Sequence, residues 1–225
     1  MIRFDGVFKQ YPGGREALMD LDFEIDGGEM VFLTGHSGAG KTTLLRLIAA
    51  LERASRGLVM VDGLNVGRLK GRQIPGLRRR VGMIFQDHRL LLDRSVFDNV
   101  ALPLVIAGHR RIEIRKRVNA ALELVGLLER ARAQPRQLST GEQQRVGIAR
   151  AVVNRPPVVL ADEPTGNLDP ALSRDIMRLF LSLNEVGLSI VIASHDLALV
   201  KSLEKRVLVL DKGRLIDDFR PHPTH

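Results

Sequence analysis

Residues Gly35-His36-Ser37-Gly38-Ala39-Gly40-Lys41-Thr42 satisfy the pattern G-x-x-x-x-G-K-[ST] at every position. Before them stands Glu29–Thr34 (EMVFLT), a short apolar run that reads as a buried strand. After them, TTLLRLIAALE places Leu44, Leu45, Ile48 and Leu51 at helical spacing. Strand, glycine-rich loop and helix together are the setting in which this pattern holds a phosphate chain. Glycines let the backbone wrap closely around phosphate oxygens. The loop N–H groups and the helix N-terminus then form an anion cradle. Lys41 brings a point charge for the β- and γ-phosphates, and Thr42 brings a hydroxyl for Mg²⁺.

Two further strand–loop boundaries lie outward from this stretch. Val158–Ala161 is a buried strand followed by Asp162 and Glu163, and Ile190–Ala193 is another, followed by His195. Continuous Val/Ile/Leu runs, rather than alternating ones, argue for a parallel sheet covered on both faces. Strand–helix alternation implies an α/β core with right-handed crossovers. Ligands of such sheets sit off the carboxyl ends of the strands. Asp162 is placed there to reach Mg²⁺, and Glu163 to polarise an attacking water. His195 stands at the same edge, where a γ-phosphate would be. A lone acid pair is as often a loop cap, and a lone histidine is usually structural; the phosphate loop on the same edge favours function for all three.

The remaining segments read differently. Residues 1–25 alternate apolar and polar (Ile2, Phe4, Leu21, Phe23, Ile25), as half-exposed antiparallel strands do, and Leu58–Val61 looks similar. The middle, about Asp87–Asn154, reads as helical, with Ile114, Val118, Ala121, Leu122 and Val125 on one face and Arg110, Arg111, Arg115, Lys116 and Arg117 on the other. The chain has 225 residues, 34 basic against 26 acidic, for a net charge of +8. That balance permits an anionic partner without naming one. Cysteine is absent, which excludes a disulfide framework and thiolate chemistry. MIRFDGVFKQ has no apolar signal core, and no run approaches membrane-spanning length. The expectation is a soluble, cytoplasmic protein whose membrane work needs another chain. The run Arg68–Arg80 (Arg68, Lys70, Arg72, Arg78, Arg79, Arg80) reads first as a solvated face, with contact to anionic lipid as the alternative. The tail, with His222 and His225, is expected to be mobile and inert.

Ser139 and Glu142 form S-x-x-E, a capping box opening an amphipathic helix with Val146, Ala149 and Val153 on one side. In order, the phosphate loop, Gln86, Leu138-Ser139-Thr140-Gly141-Glu142-Gln143-Gln144, Asp162-Glu163, Asn167-Leu168-Asp169 and His195 resemble the ABC-transporter ATPase family over nearly the whole chain. The resemblance implies an α/β fold: a P-loop NTPase core with a mainly parallel sheet, an antiparallel β subdomain and an α-helical subdomain. Residues 1–86 and 155–225 would form the core with its β part, and 87–154 the helical subdomain with the signature loop. It implies ATP and Mg²⁺ as ligands. Gly35, His36, Ser37, Gly38, Ala39, Gly40, Lys41, Thr42 and Thr43 would hold the phosphates, and Tyr11 would stack on adenine. Thr42, Gln86 and Asp162 would hold the metal. Glu163, His195 and Gln86 would be catalytic. Ser139, Gly141 and Glu142 would meet the γ-phosphate held by a second protomer, and Asp169 would couple the two sites. One departure is Thr140, where the family usually has glycine; threonine restricts φ and adds a β-branch near phosphate.

Residues 86–108, QDHRLLLDRSVFDNVALPLVIAG, are most similar to the family's cell-division ATPases, closely so at Asp87-His88 and Asp93-Arg94. The likeness implies a homodimer, peripheral on the cytoplasmic face of the bacterial inner membrane at the division septum. It also implies an integral membrane partner resembling FtsX, through which ATP cycling regulates cell-wall hydrolysis. An apolar helix of that partner would dock on the exposed part of Leu90, Leu91, Leu92, Val96 and Phe97. Lipoprotein-releasing and macrolide-exporting ATPases are the alternatives within the family. A nucleic-acid-associated member is disfavoured: fewer than a hundred residues separate Lys41 from Ser139 without sustained heptads, and aromatics at 4% leave few stacking platforms. No nucleic acid is expected. A phosphotransferase kinase would need neither the signature nor His195.

Overall fold

The computed structural model describes residues 1–220; His222 and His225 lie outside the described residues. Two strands, β1 (Ile2–Gln10) and β2 (Glu16–Ile25), pair antiparallel, and their alternation buries Ile2, Phe4, Leu21, Phe23 and Ile25 as the pattern requires. Phe4 lies opposite Phe23, and the rings stack with centroids 4.6 Å apart. After β3 (Met30–Thr34) and α1 (Lys41–Ile48) come β4 (Arg56–Val61) and β5 (Leu64–Asn65), completing a four-stranded sheet of order β2-β1-β4-β5. Helix α1 stops one turn before the expected end. Ala50 takes a positive φ of 50°, which turns the chain and leaves Leu51 41% exposed.

The chain continues through α2 (Ile74–Arg78), β6 (Val81–Ile84), α3 (Val96–Ile106), α4 (Arg111–Leu124), α5 (Thr140–Val152), β7 (Val158–Asp162), α6 (Pro170–Glu185), β8 (Ser189–Ala193), α7 (Leu197–Ser202), β9 (Arg206–Asp211) and β10 (Arg214–Phe219). A second sheet has the order β10-β9-β3-β8-β7-β6 and is parallel except for β10. Every residue of β3 and β8 is buried, because apolar layers cover both faces. Met30 and Phe32 face a core shared with α3, α4, α5 and α6; Val31 and Leu33 face one shared with α1 and the antiparallel sheet. The helical middle begins only at Val96, where the Ser95 side chain accepts from the Asp98 amide; residues 87–95 are irregular. In α4, Val118, Ala121 and Leu122 are buried with Val125 beyond, Ile114 is half-buried, and Arg110, Arg111, Arg115 and Lys116 are exposed. The whole Arg68–Arg80 set of cations is exposed, as a solvated face requires.

Register decides the site. Asp162 lies opposite Ala193, and Leu33 is paired with the same Ala193 from the other side. Strands β3, β8, β7 and β6, adjacent in the sheet, therefore end together. They release the phosphate loop, His195, the acid pair and Gln86 at one edge.

Candidate nucleotide-binding site

That edge opens into a cavity of about 1000 Å³. Thr34, Gly35, His36, Ser37, Gly38, Gly40, Lys41, Thr42 and Thr43 line it, whereas Ala39 is buried and does not. Two glycines are required by geometry. Gly35, at φ 139°, lies where a Cβ would overlap the Leu210 carbonyl oxygen, and Gly40, at φ 110°, is pressed against the Ala17 carbonyl and Leu18. The Lys41 ammonium is buried in the cradle and donates to the carbonyls of Gly35 at 2.6 Å and His36 at 3.2 Å.

Across the cavity, the Thr42 hydroxyl donates to Asp162 Oδ1 at 3.2 Å, and Gln86 lines the same space. Burial pushes the Asp162 carboxyl above its usual range. The Glu163 charge adds to the rise, and the Thr42 hydrogen bond opposes it. These are hard oxygen donors, and no group of three or more His, Cys, Asp or Glu able to hold a metal exists among the described residues. One hydroxyl, one carboxylate and an amide suit Mg²⁺, which keeps waters and takes the rest of its shell from substrate phosphates. A carboxylate destabilised by burial is also a group that a cation would favour.

Glu163 Oε2 lies 2.7 Å from His195 Nδ1. The carboxylate is largely buried, at 14% side-chain exposure, whereas the imidazole stands open at 66%. Glu163 itself has a positive φ of 49°, an expensive backbone state for a non-glycine residue; its amide donates to the Ala193 carbonyl at 3.0 Å, which holds it there. The strain is spent aiming a carboxylate into the cavity beside a histidine on the next strand.

Other residues named from the sequence stand elsewhere. Tyr11 does not line the cavity; its hydroxyl is 3.4 Å from that of Thr43, at the rim. Lys9 Nζ lies 4.8 Å from the Tyr11 ring centroid, held by Glu52 and by the Arg53 carbonyl, both at 2.9 Å. Ser139, Gly141, Glu142 and Asp169 are also absent from the cavity wall. They gather with one another. Ser139 and Glu142 close the expected capping box, and the Ser139 amide holds the Glu142 carboxyl below its usual range. Asp169 caps α6 by accepting from Ala171 and Leu172. Gly141 packs on Leu172 so closely that a Cβ would overlap it. Thr140 takes no positive φ; it is the exposed first residue of α5, so the expected backbone restriction does not arise.

Arg15, Leu197 and Ile216 also line the cavity. Sequence reasoning missed them, because they come from a hairpin turn, a helix start and the antiparallel edge strand. The exposure of Leu197 (57%) and Ile216 (62%) marks them only once the fold is known.

The profile of the ABC transporter family matches residues 18–166. The cell division ATP-binding protein FtsE of Escherichia coli K12 is 59% identical over 215 residues, covering 96% of this chain and 97% of that one. The protein of the same name in Mycobacterium tuberculosis is 50% identical over 219 residues, covering 97% and 95%. Among solved structures, the dimeric post-hydrolysis state of the ATP-binding cassette MJ0796, bound to ADP and Pi, superposes with a TM-score of 0.90 at 34% identity. It covers 100% of both chains.

Proposed function

This chain belongs to the ABC transporter family of ATP-binding cassettes, and from that premise we propose that it is the ATP-hydrolysing subunit of a membrane complex serving cell division. The observation that carries the reading is the single cavity in which the Lys41 cradle, the Thr42–Asp162 pair and the Glu163–His195 pair face one another. Lys41 and the loop amides bind the phosphate chain. Thr42, Asp162 and Gln86 would hold Mg²⁺, which supplies charge neutralisation to the phosphates when bound. Glu163 orients and polarises the attacking water, and His195 holds the carboxylate in place while its own ring reaches the terminal phosphate. Tyr11 stacks on adenine from the rim. Ser139 and Gly141, with Glu142 fixing the cap, close on the ATP of a second copy, and Asp169 links the two sites.

The proposed division role rests on the FtsE relatives, with an integral membrane partner resembling FtsX and a peripheral position at the inner face of the septal membrane. Among the described residues no helix is long and apolar enough to cross a membrane. Within the stretch Leu90–Phe97 expected to carry docking, Val96 is fully buried and Leu90 and Phe97 pack against the core, so Leu91 and Leu92 are its exposed part. A second candidate is a groove of about 570 Å³ whose lining includes Phe85, Leu102, Pro103, Ile106 and Arg150. Arg150 donates from α5 to the carbonyls of His88 at 2.6 Å and Arg89 at 2.8 Å, just past Gln86. Groove, glutamine segment and signature helix thus share one guanidinium, which favours transmission between site and partner. The test is purification from membranes. The wild type should bring down one integral membrane protein, and Leu102→Glu should lose it while hydrolysing ATP normally. Retention of the partner by that variant would move docking elsewhere.

A further inference from the structure

Beyond the groove, the turn joining α3 to α4 is an exposed tip with unusual composition. Val105 (57% exposed) and Ile112 (81% exposed) stand free on either side of Gly108. Residues 109–117, HRRIEIRKR, carry Arg110, Arg111, Arg115, Lys116 and Arg117 against the single acid Glu113. That acid is already engaged by Arg117 and, at 3.2 Å, by His109. Among the described residues, Arg110, Arg111, Arg115 and Lys116 have no acidic partner. Arg115 and Lys116 lie three and four residues after Ile112, so isoleucine and cations share one helix face. The opposite wall of the neighbouring groove adds exposed Arg78 and Arg79, and the groove lining contains no acid at all.

We propose that this tip lies on an anionic bilayer surface, with Val105 and Ile112 in the interface and Arg110, Arg111, Arg115 and Lys116 on lipid phosphates. A face mixing large apolar side chains with uncompensated cations fits an interfacial element, where apolar burial and attraction to anionic lipid add. A protein partner in the groove is the poorer match, since Val105 and Ile112 are exposed and do not line it. The orientation rests on the groove reading above: a helix entering that groove from a membrane protein would turn its rim, tip included, toward the lipid. The tip would then hold the ATPase against the membrane between docking events.

The test is co-sedimentation of the full chain with phosphatidylcholine vesicles, with and without phosphatidylglycerol, in the absence of any membrane protein. The wild type should bind only the phosphatidylglycerol vesicles, and added salt should release it. Arg110→Ser/Arg111→Ser should weaken binding about 25-fold, at about fivefold per lost charge. Ile112→Asp should weaken it about tenfold or more. The same charge loss elsewhere, Arg174→Ser/Lys201→Ser, should change it little, and ATP hydrolysis should be normal in all three. Equal binding to uncharged vesicles, no binding to either, or equal losses from the tip and the control pair would each overturn the proposal. Leu102→Glu separates the two readings: it should lose the membrane partner yet keep vesicle binding.

Discussion

The phosphate edge and the signature region each present a helix N-terminus, capped by Gly40 without a side-chain bond in the first and by Ser139 in the second, yet they end in different states. At the edge, four adjacent strands deliver Lys41, Thr42, Gln86, Asp162, Glu163 and His195 to one cavity. In the signature region, Ser139, Gly141 and Asp169 come together through the capping box, the Gly141–Leu172 contact and the Leu172 amide that donates to Asp169. The first is a site within one chain. The second, on the proposed function, is a cap for the nucleotide held by another copy. On that proposal the inequality would account for a dimer, since each copy would hold a nucleotide in one region and offer the cap for another's in the other.

The largest effect separates the two regions. Lys41→Ala should reduce ATP affinity by a hundredfold or more, because it removes the main cation from a buried cradle; isothermal titration calorimetry reads it. Near-normal affinity would remove the phosphate-loop assignment. Gly141→Val should do the opposite. It forces Leu172 aside and costs about 1–3 kcal/mol of stability, leaving ATP affinity of the dilute monomer unchanged. Unaltered thermal denaturation would show that the two helix starts are not packed against each other.

A titration sharpens the comparison on the phosphate side. Burial raises the Asp162 pKa, so its neutral form favours the nucleotide-free fold; that contribution is full below the usual carboxylate range and is lost as pH rises through the raised value. Nucleotide-free Asp162→Asn should therefore melt higher than the wild type at pH 7, and the gain should fade as the buffer is taken below the ordinary aspartate pKa. A gain that is flat with pH would assign it to packing instead. The smallest effect belongs to the rim. Lys9→Met removes the ammonium behind Tyr11, and ATP affinity should fall about two- to fivefold while tripolyphosphate affinity stays constant. An equal loss for both ligands would make Lys9 merely structural.

Much of this was legible in the sequence, because it rests on local rules. A glycine-rich loop between strand and helix, acids and a histidine directly after buried strands, and S-x-x-E at a helix start each carry their geometry with them. What was not legible depends on tertiary packing. Leu51 continued the helical spacing but fell beyond the turn at Ala50. Which part of Leu90–Phe97 stays exposed depends on packing: the core takes Val96, Leu90 and Phe97 pack against it, and Leu91 and Leu92 remain outside, while the groove lined by β6, α3 and α5 exists only in the folded chain. Thr140 raised a concern over φ that its place in the first turn of α5 removes. The Glu163–His195 contact, across adjacent strands, follows from register alone.

The most direct test asks whether the cap of one chain closes the cavity of another. Glu163→Gln keeps the size of the side chain and removes the charge, so ATP should stay bound and the particle mass, read by light scattering on gel filtration, should double when ATP is added. Placing Ser139→Arg in the same chain should return the mass to that of the monomer, with ATP affinity of the dilute protein unchanged. A double variant that still doubles its mass, or one that loses ATP affinity together with the dimer, would contradict the account.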